Sequence, residues 1–247
     1  MIEQDIFVKN GIGGTNMPNI YFLWATIRPE MMYETYKQWI SNCILDSNII
    51  LKCAVYTQEQ KETIDNYNIN NCDVIVVSDK RGYPYAVSKL AHNLEVNDED
   101  IVILTSDDFY SPVGWDKYLI DKFTGFEGAL FLDDGYQDIN IKDGMMLALT
   151  TACMTFKCLK QLNKVLMHPD YFHFFSDNEI FQNLKCLGLL KDDRDIDNMV
   201  FEHKNCHMGK RLEDEYDAYY LSHRQEDEVT FLRRMNMPIE ERLIINE

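Results

Sequence analysis

The sequence predicts an α/β fold in which a mostly parallel central sheet is flanked by helices. Three observations lead there. Short, apolar, partly β-branched runs recur at Ile20–Thr26, Ile49–Tyr56, Cys72–Val77 and Asp100–Leu104. Helical segments separate them, and strand–helix–strand alternation at this spacing calls for right-handed crossovers between parallel strands. Acidic and hydroxyl side chains cluster at the run ends, where open α/β sheets bind ligands.

Residues 1–18 form an arm. Its Gly11-Ile12-Gly13-Gly14 follows no convincing strand and makes no G-x-G-x-x-G, so it reads as a flexible lead-in to a domain over 19–247. After the first strand, Arg28-Pro29-Glu30 opens a helix over Met31–Cys43, with proline in the first turn and glutamate at the positive end. Thr57 ends the second strand, and a polar helix covers Gln58–Tyr67. The third strand ends in Ser78-Asp79-Lys80-Arg81-Gly82 and leads to a helix over Tyr83–Leu94. A helix over Trp115–Phe123 precedes the apolar run Gly128–Leu132, which stops at Asp133-Asp134-Gly135. Met145–Met154 fits a strand or a buried helix, and periodicity does not decide between them. Helices are expected at Lys157–Val165, Asn178–Leu187 and Asp214–Met235. No repeat, low-complexity tract or long linker divides the chain, so one domain is expected.

Composition excludes several functions. An apolar content of 46% and a charged content of 26% over 247 residues are ordinary for a globular domain. The formal charge of −17 is not. It repels phosphate backbones and anionic membranes, so nucleic acid is not the expected partner. It also means that an anionic ligand needs a cation beside it. Seven cysteines, an odd number without C-x-x-C spacing, indicate free thiols in a reducing cytoplasm. No stretch has the length of a membrane span, and the first residues lack the basic start of a signal peptide.

The most informative segment is Asp100-Ile101-Val102-Ile103-Leu104-Thr105-Ser106-Asp107-Asp108-Phe109. Two adjacent carboxylates at a strand tip are costly unless a cation sits with them, and a hard divalent ion is the usual solution. Taken alone, such a pair is more often a helix cap than a metal site. Later in the chain, Ser176-Asp177-Asn178-Glu179 and Phe201-Glu202-His203 offer further groups for one polar site. Ser176 and Glu179 also have the spacing of a capping box.

The ordered set of Thr26-Ile27-Arg28-Pro29, Ser78-Asp79 with Gly82, Lys89 with Asn93, Asp107-Asp108, Ser176-Asp177-Asn178-Glu179 and Glu202-His203 resembles the nucleotide-sugar glycosyltransferases of the GT-A fold. The resemblance is particularly to the family 2 type, and it runs from about Ile20 to Arg234. It implies a nucleotide-binding half over about 19–135 and an acceptor half over about 136–247. Ser106-Asp107-Asp108 looks like a variant DxD motif with serine at the first acidic position. On this likeness Asp107, Asp108 and His203 are metal ligands for Mn2+ or Mg2+, with His207 an alternative to His203. Thr26, Arg28, Thr57, Asp79, Lys89, Asp107 and Lys210 are assigned to the nucleotide sugar, foremost a UDP-sugar, and Lys204 and Arg211 are further candidates for the diphosphate. Tyr56-Thr57-Gln58 departs from relatives, which commonly place a base-reading carboxylate there. Asp177 is the expected catalytic base of an inverting transfer, with Glu179 as the other candidate. The acceptor is not implied.

Two other readings belong beside this one. A nucleotidyltransferase also uses strand-tip acids and a metal, but normally opens with a glycine-rich loop where this chain has Thr26-Ile27-Arg28-Pro29. A non-catalytic protein on a sugar-nucleotide fold is the second alternative.

Overall fold

In a computed structural model, residues 17–77, 82–194, 199–204, 206 and 209–245 are described. Strands β1 (Ile20–Ala25), β2 (Ile49–Val55), β3 (Cys72–Val76), β4 (Ile101–Thr105), β6 (Ala129–Phe131), β7 (Cys153–Thr155) and β8 (Leu190–Asp192) form one sheet in the order β3-β2-β1-β4-β7-β6-β8. Its ladders are parallel except where β7 pairs with β4 and β6. β1 lies between β2 and β4, with Ile20 level with both Ile49 and Ile101. All five β4 residues are buried, as expected for a strand covered on both faces.

The two-residue period of β1 separates two cores. Phe22 and Trp24 face helices α1 (Pro29–Ser41) and α4 (Trp115–Phe123), whereas Leu23 and Ala25 face α3 (Tyr83–His92) and α6 (Ser176–Cys186). Helix α1 starts with proline and glutamate and buries Met32, Thr35, Tyr36 and Trp39 on one face. Trp39 meets Phe22 edge-on at 5.1 Å and donates from Nε1 to the carbonyl of Phe109 at 2.7 Å. The core thereby holds the chain immediately after Asp107-Asp108.

A second, two-stranded ribbon joins β5 (Phe109–Tyr110) antiparallel to β9 (Glu202–His203), with Phe109 opposite His203. Val200 bridges to Asp133, and Phe201 donates its N–H to the Asp133 carbonyl at 2.7 Å. Phe201 is buried against Trp39. These contacts return the late chain to the tip of β4. Strands of two or three residues such as β5, β8 and β9 give no periodic signal.

Three expectations about elements need correction. Within Met145–Met154 only the last two residues enter β7. Leu147, Leu149 and Ala152 are buried by an irregular segment whose backbone bonds to other loops, as from Leu149 N–H to the Asp177 carbonyl at 2.9 Å. The helix beginning at Phe156 ends at Gln161 as α5, because Asn163 and Lys164 take φ of 51° and 59°. Asp214–Met235 is two helices, α7 (Glu215–Ser222) and α8 (Arg224–Met235), broken at His223, whose ring stacks on Phe172 at 3.7 Å. Helix α2 (Gln58–Asn66) and the short α9 (Ile239–Arg242) complete the elements.

One buried ion pair fixes α6 to α8. Arg234 donates from Nε and Nη2 to Glu179 at 2.8 and 2.7 Å, and the Tyr171 hydroxyl donates to the same carboxylate at 2.5 Å. Both charged side chains are almost fully buried. Removing one partner strands the other, so Arg234→Ala should cost about 3–5 kcal/mol in urea denaturation. Arg234→Met with Glu179→Gln should recover part of that loss, because the buried charge goes with its partner.

Candidate active site

A cavity of about 460 Å³ opens at the C-terminal ends of β1 and β4 and reaches the N-terminus of α6. Asp107 forms its floor. Trp24 Nε1 donates to Oδ1 and the Thr26 hydroxyl to Oδ2, each at 2.8 Å. The Thr35 hydroxyl holds the Asp107 carbonyl at 2.5 Å. Burial pushes the Asp107 carboxyl up to about 7, against the lowering effect of those two hydrogen bonds. Asp107 is therefore anchored by neutral donors from β1, which the tryptophan's spacing in the apolar run did not reveal.

Asp108 is handled differently. Ser106 donates to its Oδ1 at 2.6 Å, while His203 Nε2 and Arg211 Nε lie 3.5 and 3.7 Å from Oδ2. Burial alone would raise Asp108, but His203, Ser106 and Arg211 overcome it and bring the carboxyl down to about 2. His203 is set by the β5–β9 ribbon, and its ring stacks on Phe109 at 4.0 Å. Thus Asp107, Asp108 and His203 do converge.

Asp177 lies across the cavity in the first turn of α6. Its carboxylate accepts from the Asn178 N–H at 3.0 Å, and burial raises its pKa despite that bond. Helix α6 starts after Phe175, which takes φ of 63°, a costly value for a non-glycine residue. Asn178 Nδ2 ties this turn to the carbonyl of Met146 at 2.9 Å. Glu179 does not share the site. It turns away into its pair with Arg234, and no Ser176–Glu179 capping box forms, because Phe175 is the N-cap and Ser176 is already the first residue of the helix.

The remaining expected donor residues divide. Thr26 and Arg28 line the cavity. Thr57 instead accepts from Gln60 N–H at 3.2 Å in a capping box that starts α2, and its neighbour Tyr56 lines the cavity in its place. Lys89 is exposed on α3, with its ammonium 5.3 Å from the Tyr85 ring centroid, away from the cavity lining. Lys210 also lies outside that lining, 3.4 Å from Glu202. Lys204 stands 3.8 Å over the Tyr110 ring. Asp79, His207 and the arm through Asn16 lie outside the described residues. Gly82 has a clear role: at φ 89°, a Cβ would lie 1.9 Å from the Phe172 carbonyl oxygen. Arg211 lines the cavity, as do Tyr83, Tyr136, His173 and Tyr220.

The donor set can be tested for a divalent cation. Asp108 Oδ2 and His203 Nε2 are separated by 3.5 Å, a spacing two ligands of one ion can share. Both Asp107 oxygens are already hydrogen-bonded, so Asp107 is the poorer ligand as placed. Among the described residues no group of three His, Cys, Asp or Glu could hold an ion alone. Two protein ligands fit an ion whose other partners are water and substrate phosphates, the usual arrangement for Mg2+ with nucleotides.

Asp107 also makes a prediction about stability. Its folded pKa, about 7, exceeds the ordinary 3.8, so its contribution is full below about pH 4 and lost as pH rises toward 7. Wild type should therefore lose stability relative to Asp107→Asn between pH 4 and 8 in chelator, measured by denaturant titration at each pH. A difference independent of pH would show that Asp107 ionises freely in the fold.

Comparison with protein-family models and with curated proteins gives no match. Solved structures do match in fold. The mannosyltransferase PcManGT from Pyrobaculum calidifontis, in complex with GDP-Man and Mn2+, aligns at TM-score 0.57 with 13% identity, covering 74% of this chain and 56% of that one. S. aureus TarS 1–349 in complex with UDP aligns at 0.58 with 11% identity, over 90% of this chain and 76% of that one. Glucosyl-3-phosphoglycerate synthase from Mycobacterium tuberculosis, with Mn2+, UDP and phosphoglyceric acid, aligns at 0.52 with 13% identity, over 90% and 80%. The chain spans 56% of the mannosyltransferase and 35% of a longer TarS chain. The fold is that of the GT-A glycosyltransferases, a single α/β domain.

Proposed function

We propose that this chain is a glycosyltransferase that moves a sugar from a nucleoside-diphosphate donor to an acceptor hydroxyl, with inversion. The observation that supports it best is one cavity, at the strand tips of a GT-A sheet, that holds Asp108 with His203 on one wall and Asp177 on another. The donor's base and ribose lie along Thr26, Ile27 and Tyr56, which places its diphosphate beside Asp108 and the acceptor beside Asp177. Uracil is the base we assign first, and a UDP-sugar the donor.

Each group has a separate task. Asp177, with its proton affinity raised by burial, takes the proton of the acceptor hydroxyl as that oxygen attacks the anomeric carbon. Asp107 keeps Thr26 and the β1 tip in place beneath the donor. Asp108 and His203 would hold Mn2+ or Mg2+, which when bound supplies charge neutralisation for the leaving diphosphate. A nucleotidyltransferase is less consistent with the β1 tip, where Thr26-Ile27-Arg28-Pro29 offers no glycine-rich loop.

Two experiments test this reading. UDP with Mn2+, at about a hundred times its dissociation constant, should stabilise the fold by roughly 2.7 kcal/mol in thermal unfolding. Excess chelator should remove most of that gain, and an equal gain in chelator would overturn the metal bridge. Asp108→Asn should weaken UDP binding, whereas Asp177→Asn should keep it and lower turnover of a nucleotide sugar by about 10²–10⁴. Near-normal turnover of Asp177→Asn would move the base elsewhere.

A further inference from the structure

Helix α7 is fastened over the cavity by arginines that also face into it. Arg28, from the turn after β1, donates from Nη2 to Asp214 at 2.8 Å and to Asp217 at 3.2 Å. Arg211 grips Asp217 with a two-pronged contact, Nη1 to Oδ2 and Nη2 to Oδ1, each at 2.6 Å. Asp217 is 8% exposed, and Arg28 and Arg211 hold its carboxyl well below its ordinary value against the effect of burial. Asp214 meanwhile caps α7, accepting from the N–H groups of Tyr216 and Asp217 at 2.9 and 3.1 Å. The position of α7 therefore depends on both guanidinium groups.

These arginines still have donors to offer. Arg28 Nε and Arg211 Nε are each buried without a hydrogen-bond partner among the described residues, although Arg211 Nε lies 3.7 Å from Asp108. Both side chains line the cavity, and an unpaired N–H so placed favours an anion. Among the described residues only Arg28, Arg211 and Arg224 bring permanent positive charge to a lining that includes Asp107, Asp108, Asp177 and Asp217.

We infer that Asp217 is a positioning residue: it holds Arg28 and Arg211 toward the donor's diphosphate and so couples the docking of α7 to occupancy of the donor site. The inference rests on the donor reading above and adds a moving part to it. With α7 docked, Asp217 fixes the fork of Arg211 and shares Arg28 Nη2 with Asp214, and the remaining N–H groups meet the anion without further ordering. With α7 undocked, the two long side chains are free to move, and the anion bears the entropy of fixing them. By linkage, an anion that binds better when α7 is docked must also hold α7 down. Tyr216, 5.5 Å from the Arg28 guanidinium, and Tyr220, on the cavity wall, move with the same helix.

The test is amide hydrogen exchange of α7, with and without UDP and Mn2+, in wild type, Asp217→Asn, Asp217→Glu, Arg211→Lys and Asp177→Asn, alongside calorimetric UDP titrations. Wild type and Asp177→Asn should show slower exchange in α7 when UDP binds. Asp217→Asn and Arg211→Lys should lose that slowing and bind UDP roughly tenfold more weakly, and Asp217→Glu should restore part of both. If Asp217→Asn fails to fold, Arg211→Lys, which keeps the charge but loses the fork, decides the matter. UDP binding to wild type with unchanged exchange in α7, or at full affinity to Arg211→Lys, overturns the coupling and leaves the donor reading standing. If neither UDP nor inorganic pyrophosphate binds wild type with Mn2+, the donor reading falls and the coupling falls with it.

Discussion

Several carboxylates converge on the C-terminal edge of one sheet, and the rest of the site is arranged around keeping them there. At close range like charges cannot all ionise at no cost, and a chain of net charge −17 gives them no favourable background. Each acid is accommodated by a different means. Asp107 is buried beneath two neutral donors and is driven toward its protonated form. Asp108 has an imidazole and a guanidinium nearby and stays ionised. Asp217 is held by two arginines, and Asp177 accepts from the Asn178 backbone N–H. Neighbours of the same residue type are thereby given different proton affinities.

What the sequence reveals follows from the range of the interactions. The central strands were legible because burial on both faces demands continuous apolar runs. The acids at their tips were legible because a parallel sheet puts successive strand ends at one edge. His203 could be placed through Val200 and Phe201, whose apolar character required the late chain to return to the core. Glu179 was not legible as a structural group, because its partner Arg234 is 55 residues away and nothing local distinguishes a capping glutamate from a buried one. Thr57 shows the converse: its capping box with Gln60 is entirely local and was read instead as a ligand contact. The link between Arg28 and Asp217 spans 189 positions and has no sequence signature at all.

The irregular second half follows from the same limits. Met145–Met154 is apolar because its residues are buried, yet it serves mainly as the wall that receives α6, with backbone groups bonded to Gln137, Asp177 and Asn178. Burial without a ladder or a helix repeat has no period to read. The break at His223 is similar. Continuous helical character concealed a hinge that places one imidazole against Phe172 and lets α8 turn back toward α6.

That turn has a consequence for how the two walls of the cavity relate. The buried Asp227, in the first turn of α8, accepts from the N–H groups of Phe172, His173 and Phe174 at 2.7, 2.8 and 2.8 Å. The segment so held leads through Phe175 to Asp177. His173 stacks on Tyr220 of α7 at 4.4 Å, and the Phe172 carbonyl closes over Gly82. One C-terminal segment therefore touches Arg28, Arg211 beside Asp108, and the loop that leads to Asp177. A shift of α7 large enough to release Arg211 also has to disturb the stacking on His173, three residues before the first turn of α6. Asp108, just past the β4 tip, and Asp177, in the first turn of α6, are thus joined through packing and hydrogen bonds.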